Sequence, residues 1–176
     1  MSEQETHDFT IETLGEAKNP TPIVFSRTLG DSIANYVQED EYILNNVRFT
    51  PGQACEPLPK SKLLEIAGPR DRIYFNPGHV HAGIVTCGGL CPGLNDMIRA
   101  ITRCLWHRYG VRRISGIQNG YRGFFPEHQL PTIDLDPDVV DDIHKMGGSV
   151  LGTSRGGGER TSELVDAIER MNLNML

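Results

Sequence analysis

Two glycine-rich stretches hold the residues whose types and spacing suit the binding of an anion. The first is Gly88-Gly89-Leu90-Cys91-Pro92-Gly93. It follows an apolar run, His81-Ala-Gly-Ile-Val-Thr86, and precedes residues with helical apolar spacing. A loop between a strand and a helix start presents backbone N–H groups that lack partners, and the helix dipole adds positive potential. Glycines there remove the Cβ atoms that would hold a phosphate at a distance. The second stretch is Gly152-Thr-Ser-Arg155-Gly156-Gly-Gly-Glu-Arg160, where two arginines five residues apart flank three glycines. Arg155 and Arg160 can fork onto phosphate oxygens, and Thr153 and Ser154 add neutral donors. Neither stretch is G-x-G-x-x-G or G-x-x-x-x-G-K-[ST], so the dinucleotide and P-loop fingerprints are not met. A plain packing turn is the alternative for the first loop, and a surface loop with ordinary ion pairs for the second. Tyr121, after Asn119-Gly120, could lie flat against a base or cover a phosphate; a loop aromatic more often simply packs.

The elements that must position these loops follow from periodicity. Residues 81–86 read as a buried strand feeding the first loop. Leu94, Met97, Ile98, Ile101 and Leu105 then recur at helical spacing, which predicts an amphipathic helix with Pro92 in its first turn and Tyr109-Gly110 at its end. Val111–Ile117 reads as a second strand, parallel to the first across a crossover helix. After a loop rich in glycine, proline and aromatics, Asp136 or Pro137 begins a second expected helix. It carries Val139, Val140, Ile143 and Met146 on one face and stops at Gly147-Gly148. Residues 149–155 read as extended. A third helix is expected from Thr161 or Ser162 as its cap, with Leu164, Val165, Ile168 and Met171 inward. Leu173–Leu176 resembles the opening of another strand, an unusual place for a complete domain to stop.

Before this unit the pattern is irregular. Prolines at 20, 22, 51, 57, 59, 69 and 77 break any long element. Asp31–Asn45 is the best helical candidate in this part, and Ile73-Tyr74-Phe75 is a short β-like run stopped by the turn Asn76-Pro77-Gly78. The expected organisation is an N-terminal extension, 1–77, followed by an α/β nucleotide-binding unit, 78–176. The extension is too apolar for plain disorder and is expected to pack on a neighbour.

Composition narrows the function classes. The 176 residues carry 17 Lys and Arg against 23 Asp and Glu, a net charge of −6, which disfavours a generic nucleic-acid binder. No stretch approaches the roughly 20 apolar residues of a membrane span, and the acidic N-terminus is no secretory signal, so the cytoplasm is the expected compartment. Cys55, Cys87, Cys91 and Cys104 have no disulfide-framework spacing and read as reduced thiols. The spacing of Cys87 and Cys91 leaves too few further ligands for zinc. The acids Asp134, Asp136, Asp138, Asp141 and Asp142 gather about an expected helix start, where they favour the dipole, and are read as a solvated face rather than a metal site. His7, His79, His107, His128 and His144 have no partner placed by pattern and are assigned no catalysis.

Three segments together carry a family resemblance. Gly83-Ile-Val-Thr-Cys-Gly-Gly-Leu-Cys-Pro-Gly-Leu-Asn-Asp-Met-Ile-Arg99 is similar to the first strand, phosphate loop and helix of the phosphofructokinase family, in the form of its long plant, protist and bacterial branch. Gly116-Ile-Gln-Asn-Gly-Tyr-Arg-Gly-Phe124 and Gly147-Gly-Ser-Val-Leu-Gly-Thr-Ser-Arg155 resemble two further family segments. Glu65–Phe75 looks like that branch's N-terminal extension. The resemblance implies the N-terminal part of a Rossmann-like domain with a parallel sheet. It implies phosphoryl transfer from ATP to fructose 6-phosphate, giving fructose 1,6-bisphosphate in glycolysis, with Mg2+, in a homodimer or homotetramer.

By carry-over, Gly88 and Gly89 would meet the donor's phosphates through backbone N–H groups and Tyr121 the nucleotide. Arg155 would neutralise the transferring group, Gly156 would border the nucleotide, and Arg160 would support its phosphates less directly. Such catalysis is positioning and electrostatics. The family's G-G-D-[GD] turn, which holds Mg2+, and its T-[IV]-D-N-D segment with the catalytic base are not among these residues. The chain is therefore expected to be the N-terminal portion of such an enzyme, inactive alone, its metal ligands lying elsewhere. Pyrophosphate as donor, or a non-catalytic nucleotide-binding module, are the alternatives. A dehydrogenase is disfavoured by the missing G-x-G-x-x-G.

Overall fold

A computed structural model describes residues 7–45 and 57–176; residues 1–6 and 46–56, among them Pro51 and Cys55, lie outside the described residues. The chain divides into two units, Met1–Tyr74 and Phe75–Leu176. No helix among the described residues is long and apolar enough to cross a membrane.

In the first unit, frequent prolines leave room only for short strands. These are β1 (Asn19–Pro20), β2 (Tyr42–Leu44), β3 (Leu63–Glu65) and β4 (Arg72–Ile73). β1 pairs antiparallel with β4, and β2 with β3. Tyr36 is the one buried hydrophobic residue described there. Its hydroxyl donates to Ile23 O at 2.6 Å and accepts from Phe25 N at 3.0 Å, and its ring meets the Phe25 ring edge-on. Arginine-to-carbonyl bonds hold the rest: Arg70 reaches Gln38 O at 2.6 Å and Ile66 O at 2.8 Å.

The helix expected over Asp31–Asn45 does not form. Ser32 sits in the left-handed region at φ +65°, and the Asp31 carboxylate accepts from Ile33 N at 3.0 Å, closing an Asx turn instead. Val37 N then donates to Pro69 O at 3.0 Å, a long-range bond that a helix would not leave free. Mixed apolar spacing gave this segment no stripe to bury, so local turn chemistry decides its path.

The second unit is built on β5 (His81–Val85), α1 (Leu94–Arg103), β6 (Arg113–Ile117), β7 (Ile133–Asp134) and α2 (Thr161–Arg170). β5 and β6 pair in parallel from His81↔Arg113 to Val85↔Ile117. β7 returns antiparallel to β6, with Ser115 opposite Asp134. The sheet is therefore mixed, not wholly parallel as expected. After β6 the chain reverses through short 3-10 turns, Gly120–Phe124 and Pro126–His128, rather than crossing over in an α-helix. On the other side of β5, Ala82 makes a parallel bridge to Met175, so Leu173–Leu176 does add to the sheet.

Strand alternation sends side chains to two separate cores. Ala82, Ile84 and Ile114 join Ile98 of α1, Val140, Ile143 and Leu151. Ile117 joins Phe124, Phe125, Leu164 and Ala167 of α2, and Leu173, with Val85 packed against them.

Three local expectations change. α1 does not bury its most apolar stripe: Asn95, Ile98 and Thr102 are inward, whereas Met97 is 61% and Ile101 41% exposed. The helix passes into a π-helical turn, Cys104–Tyr109, and ends at left-handed Gly110. The second expected helix is a single capped turn. Asp136 Oδ1 accepts from Asp138 N at 2.9 Å and Val139 N at 2.8 Å, yet only a 3-10 turn, Ile143–Lys145, follows. Arg99 Nε of α1 takes the Asp141 carbonyl at 3.0 Å, and Arg103 Nη1 takes its carboxylate at 3.1 Å. α2 starts at Thr161 without a side-chain cap; the Thr161 hydroxyl instead donates back to Gly158 O at 3.1 Å.

Candidate functional site

The two glycine loops leave the sheet side by side and are joined along their length. Thr86 Oγ1 donates to Gly152 O at 2.6 Å. Cys87 bridges in parallel to Ser154, and Gly88 N donates to Ser154 O at 2.9 Å. Thr153 Oγ1 donates to Gly88 O at 3.0 Å. A third segment joins them: Asn119 N donates to Leu151 O at 2.8 Å, and Ser154 Oγ donates to Asn119 O at 2.5 Å. Thr153 and Ser154, expected to offer hydroxyls to a ligand, thus spend them on neighbouring loops.

Gly88 takes φ +94°, and a Cβ there would have nothing within 4 Å. An L side chain is strained in this conformation, and the open space beside it is where an anion can approach the main chain. The exposed Gly89 lies next to the guanidinium of Arg155: a Cβ on Gly89 would stand 3.4 Å from Arg155 Nη2. Arg155 is exposed and, among the described residues, makes no ion pair. Its charge is therefore available beside Gly89, in the loop that leads to α1, whose start no side chain caps. Gly156, at φ +86°, also borders open space.

Tyr121 is half-buried and lies along the triple glycine. A Cβ on Gly157 would be 3.1 Å from Tyr121 Cβ, and one on Gly158 would be 3.6 Å from Tyr121 Cε2. It supports the loop from one side. Arg160 is placed differently from Arg155. Its Nη1 donates to Glu127 Oε1 at 2.6 Å, its Nε to Glu163 Oε1 at 2.8 Å, and its Nη2 to Glu163 Oε2. Hydrogen bonds from Arg160 hold both carboxyls below the usual range, and the two glutamates hold the guanidinium further up. The structure therefore brings Gly88, Gly89, Arg155 and Gly156 together, sets Tyr121 beside them, and commits Arg160 to two carboxylates.

Sequence reasoning missed the residues that hold this arrangement from beneath. Asn95 is 3% exposed; it donates through Nδ2 to Met146 O at 3.0 Å and accepts from Val150 N at 2.7 Å through Oδ1. It ties the start of α1 to the chain entering the second loop. A polar residue three positions before Ile98, on the same helix face, was the available signal.

Among the described residues, no group of three or more His, Cys, Asp or Glu is placed to hold a metal ion. The described residues do not by themselves make a seat for Mg2+. An open cleft of about 370 Å³, lined by Gly123, Phe124, Phe125, Leu130, Arg170 and Met171 among others, shares Phe125 with the loop surroundings. Its largely apolar walls do not suit a polyphosphate.

The phosphofructokinase family model matches residues 81–176, which contain both loops, α1 and α2. The chain is 49% identical to the ATP-dependent 6-phosphofructokinase of Borreliella burgdorferi, over 98% of this chain and 38% of that protein. It is 40% identical to the enzyme of that name from Amycolatopsis methanolica, over 92% of this chain and 35% of the relative. It is 44% identical to that of Trypanosoma cruzi, over 77% and 28% respectively. The chain thus spans well under half the length of these curated relatives. A match that takes in the whole strand–loop–helix unit, joined to 49% identity with one relative over 98% of the chain, establishes that the chain belongs to the phosphofructokinase family.

Proposed function

We propose that this chain supplies the donor-phosphate half of an ATP-dependent 6-phosphofructokinase, which transfers the terminal phosphoryl group of ATP to fructose 6-phosphate. The reading is carried by one observation, the approach of Arg155 Nη2 to the Gly89 backbone beside open space. Backbone N–H groups at Gly88 and Gly89 would hold the phosphates. Arg155 would offset the charge that spreads over the transferring group, and Gly156 and Tyr121 would border the nucleotide. Fixed donors aimed at developing charge are what phosphoryl transfer asks of a protein. Relatives named for ATP rather than pyrophosphate support ATP as the donor. Mg2+ would neutralise the donor's charge when bound; the residues described here do not supply its ligands. No nucleic acid or membrane enters this reading, and the full-length form is a homodimer or homotetramer.

One preparation of the chain tests both halves. Calorimetry should detect weak binding of inorganic pyrophosphate and ATP. Gly89→Asp should abolish it, because the new carboxylate would pair with Arg155 and repel the phosphates, and Arg155→Ala should weaken it about tenfold or more. Equal affinity in all three proteins would overturn the loop assignment. The same chain should form no fructose 1,6-bisphosphate, since the G-G-D-[GD] and T-[IV]-D-N-D segments are not among its residues; steady product formation would refute that.

A further inference from the structure

Arg160 joins three segments at the edge of the smaller core, above the packing of Phe124 and Phe125 against Leu164 and Ala167. Its guanidinium lies 3.8 Å from the centroid of the Phe125 ring. It donates to Glu127 on the Pro126–His128 turn and makes a two-pronged contact with Glu163 in the first turn of α2. Single exposed ion pairs contribute little, but a forked arginine shared by two carboxylates and stacked on an aromatic face is a network with fixed geometry.

The place of this network matters. Upstream, the second loop is held at Thr153 and Ser154 by bonds to Gly88 and Asn119. Between those anchors and Arg160 lie Arg155, three successive glycines, two of them at φ +86° and +89°, and Glu159. Gly157 rests against Tyr121 and Phe125, with a would-be Cβ 3.1 Å from Tyr121 Cβ and 3.3 Å from Phe125 Cε2. Three glycines give the loop little stiffness of its own, so its path is set by what is fixed at each end.

We propose that Arg160 is a positioning residue. Clamped between Glu127 and Glu163 over Phe125, it fixes the downstream end of the triple-glycine loop and so holds Arg155 against Gly89. It acts through Arg155 and does not itself contact the phosphates. The inference deepens the proposed donor-phosphate site and rests on that reading.

Two readouts on the full chain separate the clamp from the site. The first needs no ligand: amide hydrogen exchange over residues 155–160, read at the residue-160 N–H that donates to Gly157 O at 3.2 Å, against exchange in α1. Arg160→Ala should speed exchange in the loop about tenfold with α1 unchanged, Glu127→Gln/Glu163→Gln should do the same with the arginine still present, and Arg160→Lys should recover part of the protection. The second is the affinity for inorganic pyrophosphate, which should fall about tenfold in Arg160→Ala and in the double glutamine variant, at a thermal midpoint close to that of the parent. Unchanged loop exchange in both variants overturns the clamp, whether or not pyrophosphate binds. Faster loop exchange with unchanged pyrophosphate affinity, while Arg155→Ala loses affinity, also overturns it and leaves the site reading intact. Absence of pyrophosphate binding in the parent removes the site reading, and the proposal with it.

Discussion

His81 illustrates how one side chain adds to the acid sensitivity of a fold. Its Nε2 lies 2.8 Å from Ser115 Oγ, and Arg113 Nη2 lies 3.3 Å from its Nδ1. A guanidinium can only donate, so Nδ1 accepts and Nε2–H donates to Ser115; the ring is neutral in this arrangement. Burial first, and Arg113 second, lower its pKa below the ordinary 6.5. Above 6.5 both folded and unfolded chains carry a neutral ring, and the group has no effect on stability. As pH falls below that value the unfolded chain gains a proton that the folded one refuses, so stability declines until the lowered folded pKa is reached. Urea unfolding between pH 7 and 5 should therefore show a loss of stability that His81→Gln reduces. Identical pH slopes in parent and variant would remove His81 as the cause.

At the scale of elements, α1 separates apolar pattern from burial. Ile98 is 1% exposed and sits in the larger core, whereas Ile101 lies 41% exposed on the adjacent face. Ile98→Ala should cost about 3 kcal/mol, as expected for a cavity in a packed core, and Ile101→Ala less than about 0.5 kcal/mol. Asn95→Ala should cost about 3 kcal/mol although it removes no apolar contact, because the Met146 carbonyl and the Val150 N–H would both lose their partner. Comparable losses at positions 98 and 101 in denaturant titrations would put the helix in a different rotation.

The same helix explains what could be read in advance. Existence and order of β5, α1, β6 and α2 were legible, because each has an apolar period and glycine punctuation at its ends. The rotation of α1 was not, because hydrophobicity alone cannot register a buried Asn95 or Thr102 that faces inward. The helices expected at 31–45 and 136–146 failed for a related reason. Asp31 and Asp136 do cap turns, but long-range bonds, from Val37 N to Pro69 O and from Arg99 to Asp141 O, settle where the chain goes next. At the site, Gly89 and Arg155 were legible as chemistry, whereas the fate of Arg160 depended on Glu127, 33 residues away, which no spacing rule connects.

For the whole molecule, apolar burial is unevenly shared between the two units. Every described buried hydrophobic residue except Tyr36 lies in Phe75–Leu176, arranged as one core on each face of the sheet. The first unit is held by short strand pairs and by arginine-to-carbonyl bonds, which contribute modestly because water competes for the same groups. Burial of apolar surface is what offsets chain entropy, so cooperativity should reside in the second unit. A protein of residues 75–176 should unfold in urea as a single transition. Trp106 is the only tryptophan in the chain and packs against the larger core with Arg112 over its ring at 4.6 Å, so its fluorescence reports that transition directly. Residues 1–74 alone should give no cooperative transition by circular dichroism. If 75–176 melts without a transition while the whole chain unfolds cooperatively, the extension supplies part of the core stability, and the division of labour between the two units is wrong.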